Sequence, residues 1–216
     1  MKLLRKGAEA NIYLSSLMGR KVVVKKRISK TYRIRELDEK IRAYRTIHEA
    51  QLLHEAKKAG VPTPTIFFVD IKKSEITMEY IEGTRLKDYL ENEKNSDMES
   101  LCFQFGKLTG NLHVFGIIHG DLTTSNVILT HDGKLFLLDF GLGFYSNNIE
   151  AQGVDLYLLK QVFQSFHFKV ANKCFKAFLH GYGKVVGVEK KKEIIEKLRE
   201  IESRGRYIPP EARFHR

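Results

Sequence analysis

The sequence predicts an α+β fold of two lobes, a small strand-rich lobe followed by a mainly helical one. Two observations predict it: short β-branched runs dominate the first part of the chain, and apolar residues at helical spacing dominate the rest. The chain has 216 residues, 43% of them hydrophobic, which is enough for two small lobes with a core. We expect the lobes at residues 1–82 and 83–203, followed by a basic tail at residues 204–216.

The N-terminal lobe is expected to contain five strands and one long helix. The strands are predicted at residues 3–4, 10–17, 22–26, 65–70 and 75–80. The helix is predicted at residues 35–59, because Ile41, Ile47, Leu52 and Ala56 recur near helical spacing. Gly60 and Pro62 follow as a C-cap and a helix breaker.

The C-terminal lobe is expected to be helical with one β-hairpin. Helices are predicted at residues 86–92, 98–115, 154–168, 171–182 and 189–202. The hairpin is predicted around the turn at residues 131–133, between the runs VILT and LFLLDF. The last residues, SRGRYIPPEARFHR, predict an irregular tail.

Basic residues are concentrated in one part of the chain, whose formal net charge is +11. From Arg20 to Arg45, eleven lysines and arginines stand against three acids, which leaves +8 in this stretch. Such a cluster favours a polyanionic partner, because cations release counterions when they bind phosphates. A solvated helix face would have the same composition, so both interpretations stay open.

Composition and motifs exclude several classes of protein. No run approaches the roughly 20 apolar residues of a membrane-spanning helix, and the first ten residues lack the apolar run of a signal peptide. Cys102 and Cys174 lie far apart without a Cys-x-x-Cys motif, which disfavours a disulfide framework and a zinc site. We expect a soluble, cytoplasmic protein.

The segment HGDLTTSN and the later DFG carry the chemistry. Asp121 and Asn126 lie five residues apart, and Asp139 follows Asn126 by thirteen. In kinase-type phosphoryl transfer, one carboxylate faces the nucleophile's hydroxyl, while an amide and a second carboxylate hold magnesium on ATP. Asp121 is therefore the catalytic candidate, with Asn126 and Asp139 as ligands of Mg2+. Each motif alone also suits ordinary Asx turns, but both in this order favour the kinase chemistry.

A lysine and a glutamate upstream complete this set. Lys25 ends the apolar run VVVK and is predicted to reach the α- and β-phosphates of ATP. Glu49, in the long helix, is suited to an ion pair with Lys25. Lys26 and Arg27 adjoin Lys25, and Glu55 is an alternative acid, so these assignments have competitors.

The remaining cofactor contacts are predicted in the N-terminal lobe. The segment KGAEANIY predicts a phosphate-covering loop with a single glycine, and residues 78–81 predict a hinge that binds adenine through backbone groups. Val23 points to the same side of its strand as Lys25 and is expected to contact adenine. In addition to Lys25, Asn126 and Asp139, the predicted ATP-binding residues are Gly7, Ala8, Glu9, Ile12, Val23, Met78, Glu79 and Ile81.

The segment after DFG is short. Thirteen residues separate Gly141 from Asp155, without Ala-Pro-Glu, and 75 residues follow Gly141. A protein kinase builds its peptide groove from this region, so we do not expect a generic peptide kinase. Asp155 is predicted to accept hydrogen bonds from the catalytic-loop backbone, or else to be an acid at a helix N-terminus.

The chain resembles the small atypical kinase/ATPase subunit of the KEOPS (EKC) complex, a family related to the RIO kinases. The resemblance covers nearly the whole chain and rests on KGAEANIY, VVVKKRISKTYRIRELDEKI, RTIHEAQLL, IEGTRLKDYL, IIHGDLTTSNVIL, LLDFGLGF, GVDLYLLKQVFQS and SRGRY. It implies a bilobal protein-kinase-like fold whose reduced C-terminal lobe lacks an extended activation segment. It also implies ATP hydrolysis with magnesium, autophosphorylation on Ser/Thr, and a role in threonylcarbamoylation of adenosine 37 in tRNAs that read codons starting with A.

The resemblance also implies partners. In that family the C-terminal lobe binds the threonylcarbamoyl-transferase subunit and the N-terminal lobe binds a small regulatory subunit. Arg204 and Arg206 match a basic tail that the family ties to tRNA-dependent function. The polyanion expected at the Arg20–Arg45 cluster and at this tail is therefore tRNA. The lack of inserted loops resembles archaeal members of the family. In some archaea this subunit is fused to the transferase, so a domain of such a fusion is the alternative to the free-standing polypeptide that we expect.

Two other functions fit parts of the sequence. A small-molecule phosphotransferase also uses HGDLxxxN with a later Asp, but it would need a larger C-terminal lobe with an acidic substrate pocket. A non-catalytic scaffold is the second alternative, and the intact catalytic positions disfavour it.

Overall fold

The computed structural model describes residues 1–92 and 96–206, with side chains up to Arg204. The elements of the first part of the chain are β1 (Lys2–Lys6), β2 (Ala10–Leu17), β3 (Arg20–Arg27), α1 (Arg35–Lys58), β4 (Ile66–Asp70), β5 (Glu75–Glu79), β6 (Gly83–Arg85) and α2 (Leu86–Glu91). Those of the second part are α3 (Met98–Val114), β7 (Ile117–Ile118), a 3-10 turn (Thr124–Asn126), β8 (Val127–Thr130), β9 (Leu135–Leu137), β10 (Phe144–Tyr145), α4 (Ile149–Phe166), α5 (Ala171–Val186) and α6 (Val188–Arg206).

The chain divides into two compact units. Unit 1 contains Met1–Thr84 and Ile128–Gly143, and unit 2 contains Arg85–Val127 and the chain from Phe144 onward. The α+β class is confirmed, since strands dominate unit 1 and helices dominate unit 2. The lobe boundaries at residues 82 and 203 stay predictions.

Unit 1 is built on a five-stranded sheet with the order β1-β2-β3-β5-β4. All neighbouring strands run antiparallel, and β3 is central, paired with β2 from Ala10↔Arg27 to Leu17↔Arg20. Val22 and Val24 of β3 are buried, as the β-branched run predicts. A second sheet, β6-β8-β9, contains the predicted hairpin.

The buried face of α1 matches the predicted apolar face only in part: Leu52 and Ala56 are buried, as predicted. Ile47 is exposed, whereas the buried face carries the polar Thr46 and Glu49 beside Leu53 and Ala56. A helix with two polar residues on its inner face cannot be oriented from hydrophobic periodicity alone. The burial of Glu49 indicates that this face serves a site as well as a core.

Unit 2 is organised around the contact between α3 and α5. A Cβ atom at Gly106 would lie 1.9 Å from the Phe178 carbonyl oxygen, and one at Gly181 would lie 1.9 Å from that of Phe103. These glycines therefore allow the two backbones to approach more closely than any side chain would permit. The contact also buries the free cysteines Cys102 and Cys174.

Three helix boundaries in unit 2 differ from the prediction by four or five residues, and one of them is the end of α5, at Val186 instead of residue 182. Helix α4 begins at Ile149, five residues before the predicted start, and Asn148 caps it by accepting a hydrogen bond from the Glu150 backbone N–H at 2.8 Å. Helix α6 continues to Arg206, so the predicted irregular tail does not begin at Ser203. Residues 207–216 lie outside the described part of the chain. No helix among the described residues is long and apolar enough to cross a membrane.

Candidate active site

Lys25 forms the centre of a buried ion cluster in unit 1. Its Nζ lies 2.5 Å from Glu49 Oε1 and 2.7 Å from Asp139 Oδ1. The side chain of Lys25 is 8% exposed and that of Glu49 is 1% exposed. The structure therefore pairs Lys25 with Glu49, while the alternatives pair elsewhere: Lys26 with Glu75, and Glu55 with Lys58.

Two opposing influences set the pKa of Lys25. Burial disfavours the charged ammonium and would lower the pKa. The carboxylates of Glu49 and Asp139 act in the opposite direction through charge and hydrogen bonds, and the net pKa is raised above its usual value. Lys25 therefore carries a positive charge at every pH at which the protein would work, as binding to phosphate requires.

Arg27 shares Glu49 with Lys25, a contact that we did not predict. Its Nη2 donates to Glu49 Oε2 at 2.6 Å and to the Arg45 carbonyl oxygen at 3.3 Å. Arg27 and Lys25 are two residues apart on β3, so alternation places both on the same face as Glu49. This spacing in VVVKKR was the available signal, although it cannot show that one carboxylate serves two cations.

The predicted adenine-contacting side chains lie on the face of the sheet that carries Lys25. In the strand register, Ile12 is opposite Lys25, and Val23 is opposite Met78. Directly opposed residues place their side chains on one face, and Val23 and Lys25 share a face because they are two apart. Ile12, Val23 and Met78 thus form an apolar surface next to the Lys25 cluster.

The predicted phosphate-covering loop connects β1 to β2. The Gly7 N–H donates to the Ala10 carbonyl oxygen at 3.1 Å, and a Cβ at Gly7 would lie 2.7 Å from that oxygen. Lys30 donates to the Ala8 carbonyl oxygen, and the Glu9 carboxylate pairs with Arg45 at 2.5 Å. The loop is therefore tied to neighbouring parts of unit 1 at both residues that follow the glycine.

The predicted hinge residues differ in what they can offer a ligand. The Glu79 N–H donates to the Thr65 carbonyl oxygen at 2.8 Å, and the Glu79 carboxylate accepts from the Thr65 N–H at 3.0 Å. A hinge contact by Glu79 would thus have to use its carbonyl oxygen. Ile81 is buried, and residues 80–82 lie between β5 and β6 outside any regular element.

Asp139 adopts a backbone conformation that is rare for a side-chain-bearing residue. Its φ is +60°, in the left-handed region, and its Oδ1 accepts from the Gly141 N–H at 3.3 Å as well as from Lys25. Such a conformation costs about 1–3 kcal/mol and persists only where the surroundings enforce it. The strain turns the carboxylate towards the lysine cluster.

Asp121 and Asn126 are joined directly in unit 2. The Asn126 Nδ2 donates to Asp121 Oδ2 at 2.8 Å and to the Asp121 carbonyl oxygen at 3.0 Å. Both bonds use the amide nitrogen, so neither occupies the amide oxygen, which is the atom that a magnesium ion would take. Asn126 ends the 3-10 turn, whose Thr124 hydroxyl lies 3.0 Å from His167 Nε2.

Asp155 accepts hydrogen bonds from the backbone of the loop that leads to Asp121. Its Oδ2 accepts from the His119 N–H at 2.7 Å, and its Oδ1 accepts from the Gly120 N–H at 2.9 Å. Gly120 has a φ of +76°, which a residue with a side chain would adopt only under strain. Asp155 is buried in the middle of α4, so the prediction of a catalytic-loop contact is confirmed and that of a helix N-terminal acid is wrong.

Two further buried residues, not predicted, support Asp155. His113 Nε2 lies 3.3 Å from Asp155 Oδ2, and His113 Nδ1 lies 2.8 Å from the Tyr182 hydroxyl. Burial, together with the Asp155 charge, raises the pKa of Tyr182, so its hydroxyl stays protonated. The chain Tyr182–His113–Asp155 thus connects α5 and α3 to the backbone that precedes Asp121.

Asn126 and Asp139 offer oxygen donors of the kind that magnesium accepts, and they are too few for a metal that needs a large set of protein ligands. Among the residues that the structure describes, no group of three or more His, Cys, Asp or Glu could hold a metal ion. Magnesium is the cation that retains several waters and accepts one or two protein oxygens. The Asn126 amide oxygen and the Asp139 carboxylate are donors of the right chemistry, one in each unit.

Most cations of the Arg20–Arg45 cluster have carboxylate partners within unit 1. Eight of the eleven lie within 4.0 Å of a carboxylate oxygen, contributed by Glu9, Asp38, Glu39, Glu49, Glu75, Glu82 and Asp139. Asp38 is buried, and the hydrogen bond from Arg42, assisted by the Lys30 N–H, lowers its pKa. The positive charge of this stretch is therefore compensated by carboxylates to a greater extent than its composition indicates.

The structure describes only one of the two predicted tail arginines. Arg204 is 60% exposed, and it pairs with Glu150 at 2.7 Å and Glu200 at 3.7 Å. The Arg206 side chain lies outside the described residues.

Comparisons with known proteins give a consistent result. The family model of the protein kinase domain matches residues 2–167. The KEOPS complex subunit Bud32 of Pyrococcus abyssi is 50% identical over 213 residues, 96% of this chain and 96% of that protein. Probable bifunctional tRNA threonylcarbamoyladenosine biosynthesis proteins of Methanothermobacter thermautotrophicus and Methanobrevibacter smithii are each 47% identical over 205 residues. These matches cover 95% of this chain but 36% of the bifunctional proteins, so the chain spans about a third of their length.

Proposed function

Because the chain belongs to the protein kinase domain family, and within it to the family of the KEOPS subunit Bud32, we propose that it is an ATPase and atypical Ser/Thr kinase subunit of KEOPS. Its ATP hydrolysis depends on magnesium and supports threonylcarbamoylation of adenosine 37 in tRNA. The observation that carries this proposal is the burial of Lys25 between Glu49 and Asp139. Desolvating such a cluster is costly and adds little net stability, so its presence favours a catalytic role over a scaffold.

Each site residue has a role in this proposal. Lys25, oriented by Glu49, binds the α- and β-phosphates, and Ile12, Val23 and Met78 contact adenine. The loop at Gly7–Glu9 covers the phosphates, and Glu79 and Ile81 offer backbone groups of the hinge.

Asp121 orients the attacking hydroxyl or water, and Asn126 holds Asp121 in place through its amide nitrogen. Asn126 and Asp139 are the proposed magnesium ligands, which rests on the motif order and on their donor chemistry. When bound, magnesium neutralises charge on the ATP phosphates. Asp121 then has only to accept or orient a proton, and Asp155 keeps the loop that carries it in position.

The first experiment measures phosphate release by the purified chain with Mg-ATP, with and without tRNA and the transferase subunit. Asp121→Asn keeps the shape of the side chain but removes its charge, and we expect turnover to fall about 100-fold or more. Asp139→Asn should have a comparable effect, because it weakens both the metal ligand and the partner of Lys25.

Asp132→Asn is the matched control. Asp132 is an exposed aspartate of the β8–β9 hairpin that pairs with Lys134, so its loss should leave turnover unchanged. Undiminished turnover in Asp121→Asn would contradict the proposal. Stimulation by tRNA or the transferase subunit that Asp121→Asn abolishes would support action within a complex.

The proposed partners are the transferase subunit on the C-terminal lobe, a small regulatory subunit on the N-terminal lobe, and tRNA at the Arg20–Arg45 cluster, Arg204 and Arg206. Exposed apolar side chains in unit 2, Phe115, Phe144 and Tyr145, are the kind that a protein partner covers. The bifunctional relatives, in which a matching region occupies about a third of a longer chain, support a transferase partner.

A further inference from the structure

Helix α5 carries an exposed row of basic residues that no role described above uses. Lys173, Lys176, His180 and Lys184 are all exposed and follow one another at intervals of three or four residues, so they lie along one face of the helix. The Lys191 side chain of α6 extends over Gly183 and so lies next to this row. We call these five residues the α5 stripe.

The part of the stripe on α5 lies in a segment without negative charge. Residues 156–188 contain five lysines and no Asp or Glu. Lys173, Lys176, Lys184 and Lys191 form no ion pair with any residue that the structure describes. From neighbouring α3, Glu99 is close enough to act electrostatically on Cys174, as Lys173 does, so it opposes only the N-terminal end of the stripe.

The scaffold under the stripe is rigid. Helix α5 packs on α3 at Gly106 and Gly181 with backbone contact that leaves no room for a Cβ atom. His180 is fixed against the Phe103 ring, with 5.2 Å between the ring centroids. From Lys173 to Lys184 the helix rises about 16 Å, so a preorganised row of charges spans several phosphates of a nucleic acid strand.

The Arg20–Arg45 cluster and the α5 stripe differ in how many of their cations pair with carboxylates. That cluster dominates the sequence by count, but eight of its eleven cations have carboxylate partners. The stripe has fewer cations, yet its lysines form no ion pair within the described part of the chain. A polyanion gains most from cations that have no competing carboxylate, because binding then requires no ion pair to break.

We propose that the α5 stripe docks the sugar–phosphate backbone of a structured RNA, through lysine contacts that do not read sequence. This deepens the proposed function, on which the choice of RNA rests. Lysine is a mobile point charge suited to phosphate, whereas specific base recognition would require planar, bidentate side chains. The stripe itself presents no large apolar side chain, which disfavours a folded protein as its partner.

An anionic membrane surface is the strongest competing ligand. Phe166 and Phe168 are exposed just before α5, and lysines combined with aromatic residues also occur on helices that lie in a membrane interface. Lys87 Nζ, however, lies over one face of the Phe166 ring, 4.4 Å from the ring centroid. Binding to anionic vesicles is therefore measured as well.

The test measures binding of a labelled, unmodified tRNA transcript to the full chain by fluorescence anisotropy at several KCl concentrations. The variant is Lys173→Gln/Lys176→Gln/Lys184→Gln, which removes charge and keeps good helix formers on an exposed face. We expect weaker binding at every salt concentration and a log Kd against log [KCl] slope lower by about 3, one per lysine. Replacing the same three lysines with arginine should restore the wild-type slope.

The matched control removes three exposed lysines of unit 1, as Lys72→Gln/Lys73→Gln/Lys134→Gln. It changes the net charge by the same amount, and the salt slope should stay within about 1 of the wild-type value. Equal losses in both variants, or an unchanged slope in the α5 variant, would overturn the proposal. Stripe-dependent binding to phosphatidylcholine vesicles containing phosphatidylserine, without binding to tRNA, would also overturn it.

ATP turnover without RNA is measured on the same preparations. The α5 variant should retain wild-type turnover, because none of its residues belongs to the proposed catalytic set. If the wild type hydrolyses no ATP but binds tRNA through the stripe, the proposed function fails and this inference stands. If turnover is normal and the α5 variant binds tRNA with the wild-type salt slope, only this inference fails.

Discussion

Glu49 is the residue on which the buried ion cluster around Lys25 depends. It is 1% exposed, and its two oxygens accept separately from Lys25 and Arg27. The sequence predicts a glutamate in α1 for Lys25, but it could not predict Arg27 as a second donor, because that contact depends on how α1 rotates against β3. The apolar pattern could not fix the rotation of the helix, because it marks the exposed Ile47 together with the buried Leu52 and Ala56.

Glu49→Gln should destabilise the protein strongly and lower ATP turnover. The substitution leaves two buried cations with one carboxylate fewer, and breaking a buried pair costs about 3–5 kcal/mol of unfolding free energy. Glu55→Gln, on the same helix, loses only a surface pair with Lys58 and should cost about 0–1 kcal/mol. Denaturant unfolding of both variants measures this difference, and equal losses would mean that the buried cluster contributes nothing specific.

His167 should make the protein less stable in mild acid. Burial is the main influence that lowers its pKa, and its Nδ1 has no hydrogen-bond partner among the residues that the structure describes. Because the unfolded chain binds the proton more readily than the folded one, the free energy of unfolding should fall as pH drops below about 6.5. His167→Gln should reduce this dependence when unfolding is measured at pH 7 and in mild acid. An identical pH slope in both proteins would contradict the assignment.

At the scale of elements, the strands and helices were largely predictable, whereas their ends and contacts were not. The five strands of the first sheet and the position of α1 follow from β-branched runs, helical periodicity and, at the end of α1, the Gly60–Pro62 breaker. The early start of α4 depends on one capping residue, Asn148, outside the periodic pattern. The short strands β7 and β10 have two residues each, too few to show any pattern.

The α3–α5 contact should tolerate a methyl group at one glycine of α5 and not at another. In Gly181→Ala, the new Cβ would meet the Phe103 backbone oxygen at 1.9 Å, and because a backbone cannot move aside easily, we expect a loss of about 3 kcal/mol or more. In Gly183→Ala, it would meet only the flexible end of Lys191 at 2.5 Å. Higher helix propensity should then leave stability unchanged or raise it by up to about 1 kcal/mol.

Thermal unfolding of the two alanine variants provides the measurement. A clear fall in Tm for Gly181→Ala and none for Gly183→Ala would show that close backbone packing, not glycine content, requires the residue. Similar Tm values would show that α3 and α5 can separate at little cost.

At the scale of the whole molecule, charge could be counted from the sequence but not located. The Arg20–Arg45 stretch carries most of the formal +11, yet much of it is matched by acids from elsewhere in unit 1, such as Glu9 and Glu75. The α5 stripe is inconspicuous by count and becomes visible only when helical spacing and missing ion pairs are known. The motif residues behave differently: the order of HGDLTTSN and DFG alone predicts their chemistry, and the structure adds the hydrogen bond between Asp121 and Asn126.

Unit 1 is assembled from two separated stretches of chain, and this constrains how such a protein can evolve. Lys25 and Glu49 come from the first stretch, whereas Asp139 comes from the second, which is inserted within the sequence of unit 2. A single crossover between residues 49 and 139 would therefore take Lys25 and Glu49 from one parent gene and Asp139 from the other. The ion cluster around Lys25 would then stay intact only if both parent genes encode its residues.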